Sequence, residues 1–117
     1  MKYMLLVCWD RSRMDAEREP DPTEAHADES FLWLDDVQAR GIRLAGDRLA
    51  PARRARSVRV RGGKRMVNDG PFAEAKEAIG GFDIIECDSL EEAVDIAAGH
   101  PVAESGTIEV RPFWGTA

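Results

Sequence analysis

Asp69 stands in the run Asn68-Asp69-Gly70-Pro71-Phe72, where a glycine and a proline turn the chain sharply and can hold a carboxylate in one direction. So held, it can accept a proton, orient a donor or bind a cationic group. The competing reading is a turn aspartate that accepts hydrogen bonds from amides two residues on. On the functional reading, Gly70 and Pro71 shape the turn and Phe72 anchors it in the core. His26 is the best single candidate for proton transfer, because imidazole titrates near neutral pH. It lies one residue before Ala27 on an apolar helical stripe, and a partly buried structural histidine is its alternative. His100, between Gly99 and Pro101, reads as a helix-end residue whose cation meets the carbonyl end of the dipole.

Arg59, Arg61 and Arg111 fall in strand-like segments, where a guanidinium presents a planar fork to a carboxylate or phosphate. Arg59 and Arg61 share one face. The alternative for all three is salt bridging to Glu109 or to acidic residues across a dimer. Glu74, Lys76 and Glu77 follow the Phe72 turn and read either as the rim of a pocket or as solvated charges. Glu74 and Lys76, two apart, cannot form a helical ion pair. Asp10 and Asp15 are further candidates near the end of the first strand. Gly-rich nucleotide loops, nucleophile elbows, His-Glu-x-x-His and clustered cysteines are missing, and no bound cofactor or metal is expected. A mixed site of His26 with an aspartate stays open.

The elements that must position these residues follow from periodicity. Lys2 to Trp9 is almost continuously apolar over a strand's length, which predicts a central strand. Asp21 or Thr23 can cap a helix reaching Arg40, with Ala27, Phe31, Leu34 and Val37 on its buried face, Trp33 at the margin and Gly41 as its stop. A strand begins at Ile42. An irregular bridge over Leu49, Ala50 and Pro51 leads to Ser57–Arg61, where alternation predicts a strand with Val58 and Val60 buried and the arginines wet. Gly62-Gly63 turns the chain into an antiparallel return over Lys64–Val67. Ala73–Ile79 has the length of two helical turns, and Phe82–Cys87 is a strand. Ser89 with Glu92 forms a capping box for a helix whose apolar side is Leu90, Ala93, Val94, Ile96 and Ala97. Thr107–Phe113 is the last strand.

The chain has 117 residues, 44% of them hydrophobic and 32% charged, which predicts one folded domain over residues 1–117. Its formal charge of −6 supports solubility and argues against nucleic acid as a partner. The charge is uneven: ten acidic and three basic residues between Asp10 and Asp36, then ten basic residues and one acid between Arg40 and Arg65. Cys8 and Cys87 read as reduced core thiols. The first residues lack a signal-peptide pattern and no run is long enough to span a bilayer, so no membrane association and a cytoplasmic location are expected.

The run Asn68-Asp69-Gly70-Pro71-Phe72-Ala73-Glu74, with Lys76-Glu77 and Gly80-Gly81-Phe82, resembles the YCII-related family, in its branch named for the Asp-Gly-Pro-Phe motif. The likeness starts at Met1-Lys2-Tyr3-Met4-Leu5-Leu6 and continues through Val58-Arg59-Val60-Arg61. It returns at Asp88-Ser89-Leu90-Glu91-Glu92-Ala93 and closes with His100-Pro101 and Gly106–Pro112. The resemblance implies an α+β fold, a ferredoxin-like antiparallel sheet with helices on one face, paired in a homodimer as a dimeric α+β barrel with a pocket between sheet and helices. The histidine–aspartate pair of some other members has no clear counterpart around His26.

Two functions follow as expectations. One is a cofactor-free enzyme that moves a proton, isomerises or eliminates on a small anionic or aromatic compound, with Asp69 or His26 as base and an arginine holding the charge. The other is a non-catalytic module that binds a small molecule or regulates a partner.

Overall fold

The computed structural model describes residues 1–10, 12, 29–72 and 76–116. The segment expected to hold the start of the first helix, with Asp15 and His26, lies outside the described residues, as does Glu74.

Strand β1 (Lys2–Asp10) is followed by helix α1 (Glu29–Ala39), β2 (Arg43–Arg48), β3 (Arg56–Arg61), β4 (Lys64–Asp69), β5 (Glu77–Glu86), α2 (Leu90–Ala98) and β6 (Thr107–Pro112). Short 3-10 turns occupy Ala52–Arg54 and Pro101–Glu104. Strands β2, β5, β1 and β6 form one antiparallel sheet in that order, the ferredoxin-like arrangement, and β3 and β4 pair only with each other. The hairpin is thus an insertion between the second and third strands of the main sheet.

Register divides β1 into two faces. Tyr3, Leu5 and Val7 are buried and sit opposite Ile85, Asp83 and Gly81 of β5. Tyr3 and Leu5 pack in one cluster with Trp33 and Val37 of α1 and Ala93, Ile96 and Ala97 of α2, so both helices cover the same side. Leu5, Ile85 and Val37 have essentially no solvent exposure; burying side chains of this kind contributes about 1.5–3 kcal/mol each. Met4, Leu6, Phe82 and Ile84 lie on the opposite face, half-buried, on the side away from α1 and α2.

Local signals explain the end of α1 and the start of α2. At the end of α1 the Gly41 amide donates to Gln38 O at 3.0 Å and the Ile42 amide to Val37 O at 2.9 Å. Gly41 takes φ +69°, the left-handed closure that favours glycine, and Ile42 packs back on Val37 in the core. At α2, Ser89 Oγ accepts from the Glu92 amide at 3.1 Å, while Glu92 Oε2 accepts from the Asp88 amide at 3.0 Å, one residue earlier than a capping box requires.

Several expectations are corrected. The sheet does not close into a barrel: it ends in edges at β2 and β6, and the two remaining strands make a separate ribbon rather than extending it. The dimeric α+β barrel is therefore not the architecture, although the α+β class, the antiparallel sheet and the one-sided helices stand. Trp33 is central to the buried face of α1, not marginal. Glu77–Ile79 are strand rather than helix, because they pair with Asp10, Trp9 and Cys8. The register shift there passes over Gly80, and a Cβ on Gly81 would stand 3.1 Å from Asp47 O. The hairpin is inside out relative to its alternation: Val58 and Val60 are 61% and 59% exposed, whereas Ser57 and Arg59 are half-buried. A two-stranded ribbon has no core of its own, so which face is covered depends on what the hairpin leans against.

Candidate functional site

The base of the hairpin builds a site around the Asp-Gly-Pro-Phe run. β4 ends at Asp69, and Gly70 then takes φ +89°. Its amide donates to Ala55 O at 2.7 Å and its carbonyl accepts from Ser57 Oγ at 2.9 Å. Pro71 and Phe72 are thereby carried toward the 3-10 turn Ala52–Arg54 and the start of β5. Between these elements opens a cleft of 520 Å³ with apolar walls from Leu49, Pro51, Ala52, Pro71, Phe72 and Ile79. Arg54 and Glu77 bring the charges of its lining. That volume is in the range of small-molecule sites.

Phe72 is 74% exposed, so it does not anchor the turn in the core as expected. Its ring lies under the Arg59 guanidinium, 4.7 Å from centroid to Cζ. Arg59 Nε is buried and has no hydrogen-bond partner among the described residues. Desolvating a cationic donor without an acceptor is unfavourable, and a planar guanidinium on a ring is a platform for a planar anion.

The other expected site residues disperse. Asp69 points its carboxylate, 88% exposed, at Arg56 Nε 3.1 Å away across the ribbon, and it neither lines the cleft nor braces the turn. Gly70 backbone groups brace the turn instead. Arg61 sits near the hairpin tip, its Nη1 donating to its own Val60 carbonyl at 3.1 Å. Arg111 is ion-paired with Glu109 on the bare face of the sheet, the alternative read from the sequence. Lys76 is exposed beside Glu77. Of the arginines proposed for binding, Arg59 alone reaches the motif.

A second polar constellation, not anticipated from the sequence, lies under the helices. Arg43 Nε and Asp83 Oδ1 are 2.7 Å apart, with side chains 15% and 9% exposed. Burial pushes the Asp83 carboxyl above the usual carboxylate range, and the hydrogen bond and charge of Arg43 offset part of that rise. A Cβ on Gly46 would fall 2.5 Å from Asp83 Oδ1 and 2.6 Å from the Arg43 guanidinium, so glycine leaves the room this pair occupies. Nearby, His100 stands at the end of α2 as expected, its amide donating to Ala97 O at 3.0 Å, and it is buried. Its Nδ1 accepts from the Val102 amide at 3.0 Å and its ring meets Trp33 edge-on at 4.7 Å. Trp33 in turn donates from Nε1 to Ile96 O at 2.9 Å. A lone aspartate inside the apolar run Phe82–Cys87, and an arginine between Ile42 and Leu44, were the available signals.

Burial raises the Cys8 thiol above its ordinary range and the carboxylates Glu109 and Glu77 raise it further, which disfavours a nucleophilic thiolate. Among the described residues no three histidine, cysteine, aspartate or glutamate side chains converge as a metal-ligand group. No described helix is long and apolar enough to cross a membrane.

Comparison with known proteins matches residues 1–115 to the YCII-related domain. The chain belongs to the YCII-related family. One relative, an uncharacterised protein of Rhizobium meliloti (strain 1021), is 46% identical over 115 residues, covering 97% of this chain and 92% of its own length. The uncharacterised protein YjpA of Bacillus subtilis (strain 168) is 42% identical over 52 residues, 44% of this chain and 58% of its own. The likeness to YCII-related proteins therefore spans both the main sheet and the inserted hairpin.

Proposed function

We propose that this YCII-related protein, of the Asp-Gly-Pro-Phe branch, is a binding module for a small aromatic or apolar anion taken up in the cleft beside Phe72. The observation that carries this reading is the pairing of an open apolar cleft with Arg59, a stacked cation whose buried Nε lacks an acceptor among the described residues. An apolar body in the cleft and a carboxylate at its mouth match those two features. Binding is favoured over acid–base turnover because Asp69 points out of the cleft into an ion pair with Arg56.

Calorimetric titration with benzoate, phenol and cyclohexylamine tests it. Saturable uptake of benzoate in preference to the neutral and cationic probes, with benzoate recovered unchanged, is the expected result. Phe72→Ala should weaken that uptake about tenfold, or ~1.4 kcal/mol. Equal affinity for all three probes, or chemical conversion of the ligand, overturns the reading.

The working unit is a second copy paired with the first. Support comes from the apolar side chains left uncovered on the outer face of the sheet and on the hairpin, which in a chain this short are economically buried against another copy.

A further inference from the structure

The valine face of the hairpin is the least explained surface of the molecule. Across the ribbon, Arg56 faces Asp69, Val58 faces Val67, and Val60 faces Arg65. Val58, Val60 and Val67 are 61%, 59% and 45% exposed. Segment 53–69 carries seven arginines and lysines against one acid, in a chain whose net charge is −6. The hairpin is thus an apolar stripe with a basic rim, on a ribbon that pairs with no third strand among the described residues. Ribbons of two strands are marginal in water unless a face is covered.

The chain carries a matching surface elsewhere. On α2, Leu90 and Val94 are 48% and 49% exposed, although the helix pattern assigned them to the core. They are four residues apart and so stand one above the other on the helix. Glu91 and Asp95, also four apart and exposed, run beside them. This is an apolar stripe with an acidic rim. Arg65 on the one surface, and Glu91 and Asp95 on the other, have no ion-pair partner among the described residues.

We propose that the hairpin of each protomer docks on α2 of a second copy, with Val58, Val60 and Val67 against Leu90 and Val94, and Arg65 against the Glu91–Asp95 edge. A twofold axis makes the contact twice, since each copy offers one hairpin and receives one. A nucleic acid would meet the arginines but not the valines, and would be repelled by the acidic helix. The inference rests on the homodimer stated above and names its surface.

Sedimentation equilibrium of the full chain, at fixed ionic strength, tests both statements separately. Arg65→Glu and Asp95→Arg replace exposed side chains, and an unchanged thermal midpoint verifies that each variant folds. Each alone should weaken the dimer at least about tenfold, the size of a lost desolvated charge contact. An equimolar mixture of the two variants should recover the wild-type dissociation constant, because both contacts in the mixed dimer pair opposite charges. A dimer indifferent to both reversals overturns the hairpin contact and leaves the homodimer standing. Reversals that weaken the dimer without recovery in the mixture also overturn the contact. A chain that stays monomeric overturns both statements. Tight, Arg65-dependent binding of duplex DNA by a monomer overturns them in favour of nucleic acid.

Discussion

Two of the arginine–aspartate pairs among the described residues lie in opposite surroundings. Arg43 and Asp83 meet at 2.7 Å under the helices, nearly closed to solvent. Arg56 and Asp69 meet at 3.1 Å across the hairpin, with side chains 58% and 88% exposed. The buried pair sets spacing between β2 and β5 and needs Gly46 to make room. The exposed pair is screened by water and salt and contributes little. Aspartate identity therefore says nothing about its worth here. The helix-covered sheet supports itself, whereas the hairpin and its cleft trade cover for accessible surface, which is where a ligand or partner can act.

Asp83→Ala should have the largest effect, a loss of about 3–5 kcal/mol, because it leaves Arg43 charged, buried and unpaired. Urea denaturation measures it, and benzoate affinity in the still-folded fraction should be unchanged. Gly46→Ala drives a Cβ into Asp83 Oδ1 and Phe82 O. It should cost about 1–3 kcal/mol by overpacking, read by the same titration. A stability change within about 0.5 kcal/mol would show that β2 shifts freely and that the buried pair is not a rigid spacer.

On the hairpin side the order of effects reverses. Arg59→Gln should weaken benzoate binding about tenfold while moving the unfolding midpoint little, since it removes one partly covered cation–π contact of about 0.5–1 kcal/mol. A large stability loss with intact binding would make Arg59 a scaffold residue.

The pH response separates the pairs further. The Asp83 carboxyl is raised above its ordinary 3.8 in the folded protein. The folded state therefore holds that proton more tightly than the unfolded chain, and its contribution is full below 3.8 and lost as pH rises through the raised value. Over that rise, wild-type stability should fall relative to Asp83→Asn, as followed by denaturation at successive pH values. A constant difference would mean that Arg43 cancels the burial penalty completely. Asp69→Asn should be the smallest change, with no measurable shift of the urea midpoint, because its ion pair is exposed.

Much of the main sheet was legible along the chain. The apolar run of β1, the stop at Gly41 and the serine cap of α2 each depend on local pattern or backbone geometry, and each appears where the pattern puts it. The Phe72 motif was legible as a site, but not its parts. Asp69 was the residue of chemical interest, yet the geometry brings Arg59 to Phe72 and sends Asp69 to Arg56. Alternation in Ser57–Arg61 separated two faces but assigned cover to the valines, which are the exposed ones. Leu90 and Val94 likewise carry a core pattern and lie at the surface.

What the amino-acid sequence by itself determined, then, is much of the periodicity, the stop of α1 at Gly41, the serine cap of α2 and family membership, because these rest on interactions within a few residues or on motif order. Tertiary structure alone decided that the sheet stays open, that Asp83 finds Arg43 forty residues away in the chain, and that the valines of the hairpin face outward. Those outcomes are set by which surfaces meet across long separations, and a local pattern holds no record of the partner.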